Sequence, residues 1–138
     1  YTTLFRSGVK QIGIIPLLIR TGKITEGTIL FLDEPDNNLN PFAIRKLIKT
    51  LFELAGVGVQ IFISTHNHLL SQYLSLYNEH KETFGELTFP KSRFFAFYKD
   101  ENGKTSIERG DDLLDIQHNV ILDEYVKLND KETKILNL

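Results

Sequence analysis

Residues 28–35 read TILFLDEP, an apolar run that ends in two adjacent carboxylates and a proline. Four consecutive apolar residues without alternation are typical of a strand that is buried on both faces of a parallel sheet. Asp33 and Glu34 follow where this predicted strand ends. Because ligands bind at the carboxyl edge of open parallel sheets, the pair is a candidate for holding Mg²⁺ and for orienting water. A strand that ends in a solvated acidic turn explains the motif equally well by itself.

A second apolar run, VQIFIS over residues 59–64, predicts the next buried strand and leads to His66. Neighbouring parallel strands end at the same edge of a sheet, so we expect Asp33, Glu34 and His66 to lie together. A histidine after a strand is more often a helix cap, but the upstream DEP sequence favours a site here. His68 completes a His-x-His pair, yet no carboxylate spacing supports zinc, and this residue is better explained as the start of a helix.

Helical patterns connect and follow these strands. Residues 9–21 predict a helix that Pro16 kinks or restarts. Residues 41–55 predict a second helix between an Asn-Pro start and a closing glycine, and residues 66–77 predict a third. The order strand–helix–strand–helix predicts an α/β fold with a parallel sheet and right-handed crossover helices.

The pattern changes in the C-terminal part of the chain. Residues 79–92 are polar and predict a loop. Residues 93–99 and 104–109 flank an Asn-Gly pair, which is the strongest short signal for a β-hairpin. An acidic helix is expected over residues 111–128, followed by a polar tail.

Three further groups of side chains have structural explanations that we favour over functional ones. A basic group on the helix over 41–55 is expected to be solvated rather than to bind DNA. An aromatic group in the first hairpin strand is expected to pack in a core rather than to stack on bases. An acidic group after the hairpin is expected to supply helix N-terminal charge rather than to bind metal. The groups are Arg45, Lys46 and Lys49; Phe94, Phe95, Phe97 and Tyr98; and Asp111, Asp112 and Asp115.

Composition is that of a globular domain. The 138 residues are 41% hydrophobic and carry a net charge of −2, so no strong basic field indicates nucleic acid. Cysteine is absent, which excludes disulfides and thiolate zinc sites and is compatible with the cytoplasm. No apolar stretch reaches the roughly 18 residues of a transmembrane helix, so no membrane association is expected. Because the chain also lacks methionine and begins at Tyr1, we expect it to be a piece of a longer protein.

The motifs together resemble those of ABC-type P-loop ATPases of the recombination, chromosome-maintenance and defence class. Residues 28–35 resemble the Walker B motif, residues 37–40 the D-loop, and residues 64–66 the switch-histidine loop. Ser7 and Gly8, which open a predicted helix, resemble a degenerate signature motif. The resemblance spans residues 6–77. The D-loop has Asn40 where transporter subunits usually have Asp, and the signature lacks its second glycine; both departures favour the non-transporter branch.

The resemblance implies a fold, partners and residue roles. It implies a partial P-loop NTPase parallel sheet over 6–77, with a β-hairpin and helix over 93–138, and a homodimer that sandwiches ATP and Mg²⁺. Asp33 would bind Mg²⁺, Glu34 would be the general base, and His66 would contact the γ-phosphate. Ser7, Gly8 and Val9 would contact nucleotide, since helix N-terminal amides bind phosphate. Asn38 would contact nucleotide from the D-loop. DNA is a further expected partner of the full-length protein.

A phosphate-binding loop of the form GxxxxGK[ST] is absent from residues 1–138. Gly103-Lys104-Thr105 ends like one, but Tyr98 stands where the first glycine belongs, and the segment follows the Walker B strand. We therefore expect these residues to be part of an ATPase and to be inactive alone. The alternatives are a non-catalytic dimerisation or scaffold module, and a regulatory ATPase half of a nuclease.

Overall fold

A computed structural model describes the backbone of residues 2–6, 8–80 and 91–136, and the side chains of residues 13–80 and 91–136. The chain divides into two units, Tyr1–Lys91 and Ser92–Leu138. The first contains strands β1 (Thr2–Arg6), β2 (Ile29–Asp33) and β3 (Gln60–Ser64) and helices α1 (Gly8–Arg20), α2 (Pro41–Gly56) and α3 (His68–Glu79). The second contains strands β4 (Phe94–Lys99) and β5 (Thr105–Gly110), a 3₁₀ turn (Leu113–Asp115) and helix α4 (Val120–Leu136).

The first unit is built on a parallel sheet in the order β1-β2-β3. Arg6, Asp33 and Ser64 stand in register at the carboxyl ends of the three strands. The predicted α/β fold with crossover helices is confirmed, and it is consistent with a partial P-loop NTPase fold. Strand β1 was missed because the TTLFR segment has only two consecutive apolar residues.

The helices of this unit begin at capping residues in two cases. The Asn40 side chain accepts a hydrogen bond of 2.8 Å from the Ala43 amide, and Pro41 occupies the first turn of α2, as predicted. Helix α3 starts at His68 rather than at His66, because the Asn67 side chain caps it by accepting from two amides of the first turn. Helix α1 runs through Pro16 as one helix, so the expected restart does not occur.

The core lies on one face of the sheet. Leu30 and Leu32 of β2 are buried and pack in one cluster with side chains of α1 and α2. The alternate residues of β2 and β3 face the other way, and Phe31 and Phe62 are 37% and 44% exposed, with their rings stacked at 4.9 Å. The prediction of a strand buried on both faces is therefore wrong for this chain, since the helices described here cover only one face.

The second unit begins with the predicted hairpin. Strands β4 and β5 pair antiparallel, and Lys99 is opposite Thr105. In the turn, the Asp100 carboxylate accepts hydrogen bonds from the amides of Asn102 and Lys104, both 2.9 Å, and Gly103 has φ +75°. The Gly103-Lys104-Thr105 sequence thus runs from a hairpin turn into the first residue of β5.

The acidic helix predicted over 111–128 is wrong in its bounds. The Asp115 carboxylate accepts from the amides of Asp111 and Asp112, both at 3.1 Å, and the chain forms a 3₁₀ turn capped by Asp112. Helix α4 begins only at Val120, where the Asn119 side chain accepts from an amide of the first turn, and it continues through the expected polar tail. Short-range carboxylate–amide bonds compete here with helix formation.

The expectations for the aromatic side chains of β4 and for the basic side chains of α2 have different outcomes. The expected core packing of the β4 aromatics is wrong for Phe95 and Phe97, which are 57% and 64% exposed on the uncovered face of the hairpin. The basic side chains on α2 are exposed, as expected, and the ammonium of Lys46 lies 4.6 Å from the centre of the Phe42 ring.

Two remaining expectations concern the loop predicted over residues 79–92 and membrane association. Most of the loop predicted over 79–92 lies outside the described residues. Within the described ranges, no helix is long and apolar enough to cross a membrane.

Candidate functional site

The carboxyl ends of β2 and β3 are linked directly to each other. Asp33 and Ser64 are the last residues of their strands and stand in register. The Ser64 hydroxyl donates a hydrogen bond to the Asp33 carboxylate at 2.5 Å, and the Glu34 amide donates to the Ser64 carbonyl at 2.8 Å. The two chain segments therefore leave the sheet side by side.

Glu34 and His66 meet one residue and two residues beyond these strand ends. The Nδ1 atom of His66 lies 2.7 Å from Oε1 of Glu34, although the two residues are 32 positions apart in sequence. The predicted meeting of Asp33, Glu34 and His66 at one edge is thus confirmed as geometry. An ionised carboxylate can only accept a hydrogen bond, so Nδ1 of His66 is the donor of this bond when Glu34 is ionised. The side chains of His66 and Glu34 are 77% and 41% exposed, which leaves both open to a ligand.

The backbone at Glu34 has an uncommon conformation. Its φ is +45°, in the left-handed region, and Asn38 four residues later has φ +65°. Asparagine tolerates this region well, whereas glutamate does so at a cost of about 1 kcal/mol or more. Such positions occur often at functional sites. The conformation turns the chain sharply after β2, which a regular strand would not do.

A second contact between the segments that follow β2 and β3 involves a buried carboxylate. The Thr65 hydroxyl donates a hydrogen bond of 2.8 Å to the carboxylate of Asp36, which is only 7% exposed. Sequence reasoning assigned no role to either residue. The signal was a threonine directly before the histidine and an Asp directly after the DEP sequence, but only the strand register shows that they meet.

Asp33 is suited to binding a divalent cation. It is an exposed carboxylate at a strand end, and Mg²⁺ prefers oxygen ligands. Among the described residues, no group of three or more histidine or acidic side chains is arranged to hold a metal.

The structure describes some of the residues that are expected to contact nucleotide, but not all of them. Gly8 and Val9 are the first residues of α1, which follows β1. Since Arg6 at the end of β1 stands in register with Asp33, the start of α1 lies at the same carboxyl edge as the candidate site. Ser7 lies outside the described residues, and Asn38 is an exposed residue of the turn after β2.

A comparison with known families bears on the same region. Residues 7–71 match the family model described as "AAA domain, putative AbiEii toxin, Type IV TA system". No curated protein and no solved structure gave a match to the chain. The matched span contains β2, α2 and β3 together with the carboxylates and the histidine at their ends. Residues 7–71 are therefore similar to an AAA-type P-loop NTPase domain, and this similarity supports a nucleotide-binding, ATPase-like function in general terms.

Proposed function

We propose that this chain is the part of a dimerising ABC-type ATPase that supplies the hydrolytic carboxylate and the phosphate-sensing histidine. The observation that carries the proposal is the Glu34–His66 contact of 2.7 Å, one residue from the exposed carboxylate of Asp33. A metal-directed carboxylate, a base and a cationic or hydrogen-bonding side chain are the groups that phosphoryl transfer requires.

Asp33 would hold Mg²⁺ at the end of β2. The Ser64 hydroxyl donates to its carboxylate and so restricts its orientation. Mg²⁺, when bound with ATP, neutralises charge on the phosphate oxygens. By holding this metal, Asp33 would help to orient the nucleotide relative to Glu34, which follows it directly in the chain.

Glu34 would accept a proton from the attacking water. In the structure, one carboxylate oxygen is engaged by Nδ1–H of His66, and a carboxylate has a second oxygen that can accept. His66 would contact the γ-phosphate through Nε2. Because Nδ1 carries the proton shared with Glu34, Nε2 can donate to a phosphate oxygen only when the imidazole is doubly protonated. Loss of the phosphate removes the acceptor for that second proton, which is how His66 would sense hydrolysis.

The remaining roles follow from the resemblance to ABC-type ATPases. Ser7, Gly8 and Val9 would clamp the nucleotide held by a second subunit, since helix N-terminal amides bind phosphate. Asn38 would contact nucleotide from the turn after β2. ATP binding would close a homodimer and hydrolysis would open it, with DNA as a further partner of the full-length protein and the cytoplasm as its compartment.

The decisive experiment compares Glu34→Gln with Asp33→Asn in the full-length protein. Glu34→Gln keeps size and hydrogen bonding but cannot take the proton, so ATP binding should persist while turnover falls about 10²-fold or more. The variant should then accumulate as an ATP-bound dimer on gel filtration. Asp33→Asn should instead weaken Mg²⁺-dependent ATP binding, because it removes charge opposite a dication.

Other results would contradict the assignment. Normal turnover in Glu34→Gln would remove Glu34 from catalysis. Equal loss of ATP binding in both variants would assign the two carboxylates a shared structural or metal-holding role. A full-length protein that dimerises but hydrolyses no ATP would support the non-catalytic scaffold instead. Residues 1–138 alone should hydrolyse no ATP, since they contain no GxxxxGK[ST] sequence.

A further inference from the structure

We propose that Asp36 and Thr65 form a positioning pair that holds His66 against Glu34. The pair joins the two segments that leave the ends of β2 and β3. Its effect on turnover rests on the proposed function, whereas its effect on the His66 ring is a property of the folded chain and can be tested without nucleotide.

The segment that carries His66 has no backbone ladder to hold it. Residues 65–67 lie between β3 and α3 and belong to neither. The Thr65 hydroxyl uses both of its hydrogen-bonding functions here: it donates to Asp36 at 2.8 Å and accepts the Asn67 amide at 3.0 Å. Because residues 65 and 67 flank the histidine, one hydroxyl fixes the backbone on both sides of it.

Asp36 is held in the segment after β2 by burial and by a backbone hydrogen bond. Pro35 and Asp36 are both buried, and the Asp36 carbonyl accepts the Leu39 amide at 3.0 Å. A buried carboxylate is costly unless it accepts hydrogen bonds, so replacement of the Thr65 hydroxyl leaves the Asp36 carboxylate poorly satisfied.

Burial distinguishes this contact from the others that join the same segments. The bonds from Ser64 to Asp33 and from His66 to Glu34 are exposed and compete with water. The Thr65–Asp36 bond is partly buried, and a hydrogen bond is electrostatically stronger where the local dielectric is lower. Glu34 precedes Asp36 by two residues and His66 follows Thr65 by one, so the buried bond sets the spacing of the exposed pair.

The test measures the ring nitrogens of His66 by NMR in the full chain. Glu34→Ala defines the resonances of a ring without its carboxylate partner. Thr65→Val, which keeps the shape but removes the hydroxyl, should move the His66 resonances toward those of Glu34→Ala. Thr65→Ser, which restores a hydroxyl, should return them to the original positions. Thr50→Val is the matched control, because it removes a threonine hydroxyl bonded to the Lys46 carbonyl in α2 and should leave His66 unchanged.

The proposal is overturned if Thr65→Val folds and His66 keeps its original resonances, or if Thr65→Ser behaves like Thr65→Val. If Thr65→Val does not fold, exchange of the Thr65 hydroxyl proton with water in the unchanged chain tests the proposal instead. A Thr65 hydroxyl proton that exchanges with water as fast as that of the exposed Thr21 overturns the proposal, and marked protection supports it.

A kinetic measurement separates this inference from the proposed function. In the full-length protein, Thr65→Val should lower kcat about tenfold or more with little change in KM for ATP, because misplacement by about 1 Å can cost up to 10²-fold in rate. Thr65→Ser should recover the rate. If the unchanged protein hydrolyses no ATP, the proposed function fails, while the NMR result still decides the positioning pair.

Discussion

Among the described residues, the glutamate–histidine pairs Glu34–His66 and Glu108–His118 each join residues distant in the sequence, and they differ in what else holds them. In the first unit, His66 contacts Glu34 at 2.7 Å, and its side chain is 77% exposed. In the second unit, Nδ1 of His118 lies 3.1 Å from the Glu108 carboxylate, whose side chain is only 21% exposed. Residue identity is the same in the two pairs, so the surroundings decide which one is available for chemistry.

Both members of the Glu108–His118 pair in the second unit have further contacts with neighbouring residues. The Glu108 carboxylate also accepts the amides of His118 and Gln117 at 2.9 and 3.1 Å. The His118 ring stacks on Tyr98 with 4.0 Å between ring centroids and 4° between planes. These bonds attach the segment before α4 to the hairpin, which is a structural role. A Glu–His contact by itself therefore does not indicate a reactive site.

The largest expected difference between the pairs is in catalysis. In the full-length protein, His66→Ala should lower ATP turnover by about 10²-fold, because it removes the partner of Glu34 and the proposed contact to the γ-phosphate. His118→Ala should leave turnover close to that of the unchanged protein. Steady-state hydrolysis assays of the two variants make the comparison. A comparable loss in both would show that the second pair also serves the reaction.

A smaller difference is expected in pH dependence. The backbone hydrogen bonds from His118 and Gln117, together with the His118 ring, hold the pKa of Glu108 below its ordinary value of 4.5. A lowered folded-state pKa stabilises the fold above the unfolded pKa, and this contribution is lost as pH falls through the folded pKa. The unchanged chain should therefore melt at a higher temperature than Glu108→Gln at pH 7, and the gap should shrink below pH 4.5.

This difference in melting temperature is measured by circular dichroism melts of the unchanged chain and of Glu108→Gln from pH 7 to below pH 4.5. Glu34→Gln serves as the matched control, because Glu34 accepts from the His66 ring in an exposed position. A gap between the unchanged chain and Glu108→Gln that stays constant at every pH would contradict the role assigned to the Glu108 carboxylate.

The smallest expected effect concerns the stacked ring. Tyr98→Leu removes the aromatic partner of His118 and should lower the free energy of unfolding by about 1 kcal/mol, the usual scale for an aromatic pair. Phe97→Leu alters a neighbouring ring on the exposed face of the same strand and should have less effect. Urea titrations of both variants measure this, and equal losses would show that the stack adds nothing beyond hydrophobic area.

Much of the candidate site was predictable because its signals are local. An apolar run followed by carboxylates, and a second run followed by histidine, placed Asp33, Glu34 and His66 at one edge, and the structure confirms that they meet. The Asn-Gly turn and the Asn40-Pro41 helix start were predictable for the same reason. Each depends on the conformational preferences of a few consecutive residues.

The sequence by itself thus determined strands β2 and β3, the crossover helices, the hairpin and the edge that bears the acidic and histidine side chains, but not β1. Only the tertiary structure decided that Thr65 meets Asp36, that Glu108 is enclosed by amides of the segment before α4, and that Phe31 and Phe95 face outward. The physical reason is the distance along the chain over which each interaction acts. Strand periodicity, capping and turns are set by neighbours in the chain, whereas these contacts join residues brought together by strand register or are set by which face the helices cover.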